Sequence, residues 1–306
     1  MTAQLPASPV SLSSLPALRV STSAPTDARI PTGVGDFDSV AGGIPVGSVV
    51  LLTGEAGAGH QEFALTSATH LMFSYDAERM HKFYLGSVKG NFVYPAGVAY
   101  VSLSRSREQV TREVEISFEA SHYKSFVRHL IFHDLSSIYF SDTIVPRTWA
   151  QTAAPLLAEL TEPGTTPTAS DPLDAIVRAV EQDGNGNVVI VDSLTDLLVR
   201  RNLDTESILT LVKGLRRRAK EWGGVIYLLL SRGVAPPATE QALSDSVDGV
   251  FSFSWTTHPL RSSRQRTMLI EKFMPVLSHV PHEHQGRFVI RVSSLTGLVT
   301  TQYERI

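Results

Sequence analysis

An apolar run, Ser48-Val-Val-Leu-Leu-Thr53, enters a glycine-rich octet, Gly54-Glu55-Ala56-Gly57-Ala58-Gly59-His60-Gln61, and leaves it through a helical pattern. A short, continuous apolar run bounded by Gly47 and Gly54 reads as a strand buried on both faces, the kind found in parallel sheets. Phe63, Ala64, Ser67, Leu71 and Ser74 then fall at helical spacings and predict a helix from His60 to about Tyr75. Strand, glycine turn and helix in that order restrict the chain to layered α/β architectures with a parallel sheet.

The remaining pattern agrees. Strands are predicted over 98–103, 188–191 and 225–230, with another inside 129–140. Helices are predicted over 107–119, 172–182 (capped by Asp171, with Pro172 in the first turn) and 205–222, where Gly223-Gly224 is the stop. Short strands near 248–254, 266–272, 287–292 and 297–302 finish the chain, the later ones antiparallel. The fold class is α/β: a mostly parallel central sheet flanked by helices, with a C-terminal antiparallel extension. Ligands in such sheets sit at the carboxyl ends of the strands. Gly54, Asp192 and Ser231 each follow a strand and should share that edge.

Residues 1–29 are rich in Ser, Thr, Pro and Ala and lack the basic start and apolar block of a secretory signal. They are expected to form a disordered tail before a single domain over 30–306. The 306 residues are 42% hydrophobic and 19% charged, a globular composition without an apolar run long enough to span a membrane. A formal charge of -3 excludes a strongly basic nucleic-acid sponge. The absence of cysteine excludes disulfides, zinc thiolates, iron–sulfur clusters and a thiol nucleophile. A cytoplasmic protein is expected.

The octet has the frame of a phosphate-binding loop, G-x-x-x-x-G-K-[ST], with His60 at the lysine position and Gln61 at the Ser/Thr position. The glycines permit a tight backbone path, and successive N–H groups at a helix start can cradle phosphate oxygens. Losing the lysine's charged hydrogen bond costs ~1.5–3 kcal/mol. Imidazole is a short replacement and at best half-charged near neutral pH. The strand Asn187-Val-Val-Ile-Val-Asp192-Ser193 delivers a carboxylate to the place where Mg²⁺ would sit beside such a loop. ATP and Mg²⁺ are therefore expected to bind weakly or not at all.

The segment Pro31-Thr-Gly-Val-Gly-Asp-Phe-Asp-Ser-Val-Ala-Gly-Gly-Ile-Pro-Val-Gly-Ser-Val-Val-Leu-Leu-Thr-Gly54 resembles the opening of RecA/KaiC-like ATPases, which lead into their first strand with an aspartate and a GG-hydrophobic-P-x-G turn. Val191-Asp192-Ser193-Leu194-Thr195 resembles their Walker B strand, and Glu271-Lys272-Phe273-Met274 their K-M-R-G hairpin region. The resemblance covers most of 31–303, and Gly59-His60-Gln61-Glu62-Phe63 is most similar to a haloarchaeal subgroup that has lost the lysine. It implies a vestigial nucleotide site at Gly54–Gln61, Asp192 as Walker B residue and Mg²⁺ ligand where nucleotide binds, and Lys272 reaching a neighbouring subunit's nucleotide. It also implies a homo-oligomer, since these sites lie between subunits. The second strand of the family ends in paired glutamates that polarise the attacking water. Here Tyr100-Val101-Ser102-Leu103 runs into Ser104-Arg105. With those carboxylates, the loop Lys and Thr, and the K-M-R arginine all replaced, no catalytic residue is assigned and a pseudo-ATPase is expected.

Three readings follow from that resemblance: a non-hydrolysing regulatory or scaffold protein in archaeal signalling with an unknown protein partner; a weakly active ATPase; and an accessory protein in DNA recombination or repair, the last not favoured. Other signals are weaker. His279, His282 and His284 share a polar loop whose spacing fits no defined metal site. Arg200-Arg201 and Arg216-Arg217-Arg218 read as solvated basic clusters.

Overall fold

The computed structural model describes residues 28–77, 91–150, 171–257, 264–277 and 287–304. Most of the expected tail and the loop holding His279, His282 and His284 lie outside these residues. The chain is already in a strand at Arg29: β1 (Arg29–Ile30) pairs antiparallel with β2 (Ile44–Pro45), and α1 (Gly35–Ala41) lies between them.

The main sheet is built from β3 (Ser48–Gly54), β4 (Val98–Ser102), β5 (Leu130–Asp134), β6 (Val188–Asp192), β7 (Val225–Ser231), β8 (Gly249–Thr257), β9 (Arg264–Lys272), β10 (Arg287–Ser293) and β11 (Gly297–Glu304). Its order is β11-β10-β9-β8-β3-β7-β6-β4-β5. The strands from β8 to β5 are parallel, and β9, β10 and β11 continue the sheet antiparallel. The predicted class holds, with the change of direction at β8/β9.

Alternation along β3 explains the layering. Val50 and Leu52 pack into one core with α2 (His60–Asp76), α3 (Arg107–Ser117) and α4 (Ala120–His129), while Val49 and Leu51 pack into a second core on the other face. The second core is covered by α7 (Pro172–Asp183), α8 (Leu194–Leu198), α9 (Thr205–Trp222) and α10 (Pro237–Ser246). Two further short helices, α5 (Ser136–Tyr139) and α6 (Arg147–Ala150), follow β5. Asp204 caps α9 by accepting from Ser207 N at 2.8 Å, and Gly223 ends it in the left-handed conformation, so the predicted limits are met.

One predicted helix is cut. The run expected to reach 119 stops at Ser117, because Phe118 turns extended, bridges to Thr296 and buries its ring against His70, with α4 starting afresh at Ala120.

Asp38 explains the aspartate of the lead segment. Its buried carboxylate accepts from Thr32 N and Oγ1, both at 2.8 Å, and from Gly33 N at 2.9 Å, which ties the incoming chain to α1. Burial pushes this carboxyl up to about 7 while the three hydrogen bonds pull the other way. Asp38→Ala would orphan three buried donors and is expected to lower stability by about 2–4 kcal/mol, read from urea unfolding. An unchanged midpoint would mean that water replaces the carboxylate there.

Candidate functional site at the carboxyl edge of the sheet

The parallel strands end together. Gly54 is opposite Ser231, and Ser102 is opposite Asp192. Crossing hydrogen bonds tie the edge: Leu103 N to Asp192 O at 2.9 Å, Arg232 N to Gly54 O at 2.8 Å, and Ser231 N to Thr195 Oγ1 at 2.8 Å. The expected convergence of Gly54, Asp192 and Ser231 on one edge is observed.

Between β3 and α2 the loop is a tight turn. Ala58 N donates to Glu55 O at 2.9 Å, and Phe63 N to Gly59 O at 2.9 Å. Two glycines are required by what surrounds them. Gly59 has φ 121, and a Cβ there would lie 2.8 Å from Ile290 Cδ1; a Cβ on Gly54 would lie 2.7 Å from His60 Nδ1. Among the described residues, nothing accepts from the N–H groups of Gly57, Gly59, His60 and Gln61. Glu55 and Ala56 complete the turn, and Glu55 N donates to Phe253 O at 3.1 Å.

His60 does not replace a lysine's charge. Burial lowers its pKa, against the raising influence of Glu62 and Asp192, so the imidazole is neutral near pH 7. Its Nδ1 is buried against Gly54 without a hydrogen-bond partner among the described residues.

Asp192 is buried and engaged. Tyr100, whose phenol is held protonated by burial, donates to Asp192 Oδ2 at 2.5 Å. Arg105 Nη1 lies 3.5 Å from the same oxygen, and its Nη2 pairs with Glu113. The peptide that follows Asp192 is cis. Next to it, Ser104 and Ser193 donate to Asp196 Oδ2 at 3.2 and 3.1 Å. A guanidinium therefore stands against the carboxylate that would coordinate Mg²⁺, and Gln61 offers no hydroxyl beside it. The donor set does not fit that ion as it stands. Among the described residues no group of three His, Asp or Glu could hold a metal.

Lys272 is not brought to this edge. It pairs with Val250 near the start of β8, and its ammonium donates to Ser244 O, Asp245 O and Val247 O at 2.9, 3.0 and 2.9 Å, around the end of α10. All three donors are used within the chain. Within the basic clusters, Arg200 is engaged with Tyr139 O and Asp142, Arg216 with Asp248, and Arg218 with Glu181 and Glu221.

Sequence reasoning missed Trp255, Arg264 and Arg266. Trp255 Nε1 donates to Ala56 O at 3.1 Å and Arg266 Nε to Gly57 O at 2.8 Å, so the β8–β9 hairpin grips the loop. The spacing Arg264-x-Arg266 puts both on one strand face, but only the register places that face beside the loop.

No family model matches the chain, and no curated protein matches it. Solved structures do. A KaiC-like protein from Pyrococcus horikoshii aligns with a TM-score of 0.56 and 16% identity, over 90% of this chain and 100% of that one. The flagellar accessory protein FlaH from Methanocaldococcus jannaschii aligns with a TM-score of 0.58 and 16% identity, over 90% of this chain and 99% of that one. The fold is RecA/KaiC-like. Among the described residues no helix is long and apolar enough to cross a membrane.

Proposed function

We propose that this chain is a non-hydrolysing RecA/KaiC-like protein, a pseudo-ATPase with a regulatory or scaffold role in signalling. One observation carries the reading: Asp192, at the Mg²⁺ position, is taken by the Tyr100 hydroxyl and the Arg105 guanidinium. Hydrolysis of a phosphoanhydride needs a positioned water and charge stabilisation on the transferring group. Here the second-strand position that would supply a carboxylate supplies Arg105, and the loop side chain that would supply a cation is a neutral His60.

The similar chains, a KaiC-like protein and a flagellar accessory protein, support the architecture. In this reading the chain self-associates and presents its surface to a protein partner, with ATP bound weakly or not at all. Lys272 contributes across subunits only by giving up three hydrogen bonds to carbonyls of its own chain. A role on DNA has less support, because Arg216 and Arg218 are already paired with carboxylates.

The deciding experiment is a phosphate-release assay with ATP and Mg²⁺ on purified protein beside Asp192→Ala. The two proteins are expected to give the same background rate. Steady release that depends on Asp192 sinks the pseudo-ATPase reading in favour of a weakly active ATPase.

A further inference from the structure

We propose that the groove between α9 and α10, at the amino edge of the main sheet, docks an acidic segment of a partner protein that sets an apolar side chain between carboxylates. The inference rests on the reading of this chain as one that acts through a protein partner, and adds to it the surface and the partner's chemistry.

Lys213, Arg216, Arg217 and Lys220 recur at helical spacing on the exposed side of α9, because Leu211, Val212, Leu215 and Ala219 turn the other side into the core. Leu209, Lys213 and Arg216 line one wall of an open groove of about 440 Å³, and Ala242, Asp245 and Ser246 of α10 line the other. An adjoining hollow shares Lys213 and Arg216 and adds Arg217, Lys220 and Asp248, the residue that precedes β8. This is the edge opposite to Gly54 and Asp192.

The carboxylates of the groove do not neutralise it. Asp248 accepts from Val49 N at 3.0 Å and Arg216 Nε at 2.9 Å, with Lys220 Nζ at 3.1 Å, so one carboxylate holds two of the cations in place. No described carboxylate lies within ion-pair distance of Lys213 or Arg217. Among the lining residues four cations therefore face only Asp245 and Asp248, and the Lys272 ammonium adds a further charge beside the end of α10. The chain as a whole carries a formal charge of -3, so this surplus is local.

The lining selects the occupant. Guanidinium and ammonium groups attract carboxylates and phosphates alike. Leu209 and Ala242, however, are half-buried between the cations and give the groove an apolar floor that suits an aliphatic side chain. A membrane surface would need apolar groups that stand out from the fold, not recessed ones. Among the described residues no aromatic side chain lines the groove to stack a nucleobase. The stretch 1–27 of this chain carries one acid, Asp27, and lacks the charge to fill it.

Fluorescence anisotropy on the full chain tests this with three labelled peptides: DELDELLDE, its amide version NQLNQLLNQ, and DESDESSDE, which keeps the charge and loses the leucines. DELDELLDE is expected to bind, and to weaken about tenfold between about 0.05 and 0.5 M salt. DESDESSDE should bind about tenfold more weakly, and NQLNQLLNQ not measurably. Reversing the two cations that lack an ion pair, Lys213→Glu with Arg217→Glu, should weaken DELDELLDE about tenfold or more, with an unchanged urea midpoint verifying the fold. The same reversal at exposed Lys124 and Arg291 should change binding less than about twofold. No binding of DELDELLDE by the parent, equal binding of NQLNQLLNQ, or equal losses from the two reversed pairs would overturn the proposal. So would a DNA duplex or phosphatidylglycerol vesicles that bind more tightly than DELDELLDE and are lost with the Lys213 and Arg217 pair. A change in molar mass by light scattering on that reversal would also overturn it, by giving the groove to a second copy of this chain. The peptide assays contain no nucleotide, so ATP turnover measured separately ends the non-hydrolysing reading alone.

Discussion

The double reversion His60→Lys with Gln61→Thr is expected to bind ATP ~10–150-fold more tightly than the parent and still release no phosphate. The frame for a lysine is intact: Gly54 and Gly59 keep the backbone path, and the helix-start N–H groups are without acceptors among the described residues. A lysine returns a full positive charge where the parent has a half-buried neutral imidazole. The threonine hydroxyl, however, would meet a carboxylate that still faces Arg105 and Tyr100. The gain in affinity should therefore be nearly independent of Mg²⁺ in the double variant. Adding Arg105→Ala and Tyr100→Phe frees Asp192 and should make the gain Mg²⁺-dependent. Calorimetry with and without Mg²⁺, and a phosphate-release trace on each variant, give both readouts. A double variant no tighter than the parent would mean that the loop, gripped by Trp255 and Arg266, serves the fold alone. Phosphate release from it would mean that the water-positioning group lies somewhere other than the Ser104-Arg105 position.

Much of this edge was legible because its signals are local. An apolar run next to a glycine octet dictates strand, turn and helix without reference to anything distant, and β3 and α2 begin and end within a residue of the predicted limits. The same holds for α9, where an aspartate cap and a Gly-Gly stop frame an amphipathic stripe. The helices α1 and α8 escape the pattern because, at 7 and 5 residues, each is too short to display a hydrophobic period, and α10 because it buries only Leu243 and Ser246 and carries no apolar stripe. The break at Phe118 was hidden because its cause is tertiary: the ring packs at Gly297, where a Cβ would lie 2.4 Å from it. The site divides in the same way. The replaced side chains at 60, 61, 104 and 105 could be read from their positions in a motif. That Arg105 would turn on Asp192, that Lys272 would be spent on the end of α10, and that Trp255 and Arg266 would hold the loop depended on strand register and on packing between segments far apart in sequence.

Acid is expected to remove about 2–3 kcal/mol of stability between pH 7 and pH 4.5 through His70. The His70 ring is buried on α2, 2.7 Å from Gly33 O through Nδ1, and beside the rings of His122 and Phe118. Burial is the main cause that pulls its pKa down from 6.5 to about 4; the His122 charge acts in the same direction and the Gly33 carbonyl in the opposite one. A histidine with a depressed folded-state pKa contributes stability that is present above 6.5 and is lost as pH falls toward 4. Asp38 accepts from the N–H of the same residue, Gly33, and works in the other direction: its raised carboxyl favours the folded state as pH falls from about 7. The bare pH profile of the parent chain therefore mixes the two. His70→Asn keeps an amide donor at the place of Nδ1 for Gly33 O, removes the titration and leaves Asp38 in place, so the difference between the two urea-unfolding profiles isolates His70. The variant should be less stable at pH 7 and lose less on acidification, with the gap closing by about 2–3 kcal/mol at pH 4.5. Parallel profiles would show that His70 takes up its proton as readily in the folded chain as in the unfolded one, and that whatever acid does to this protein begins elsewhere.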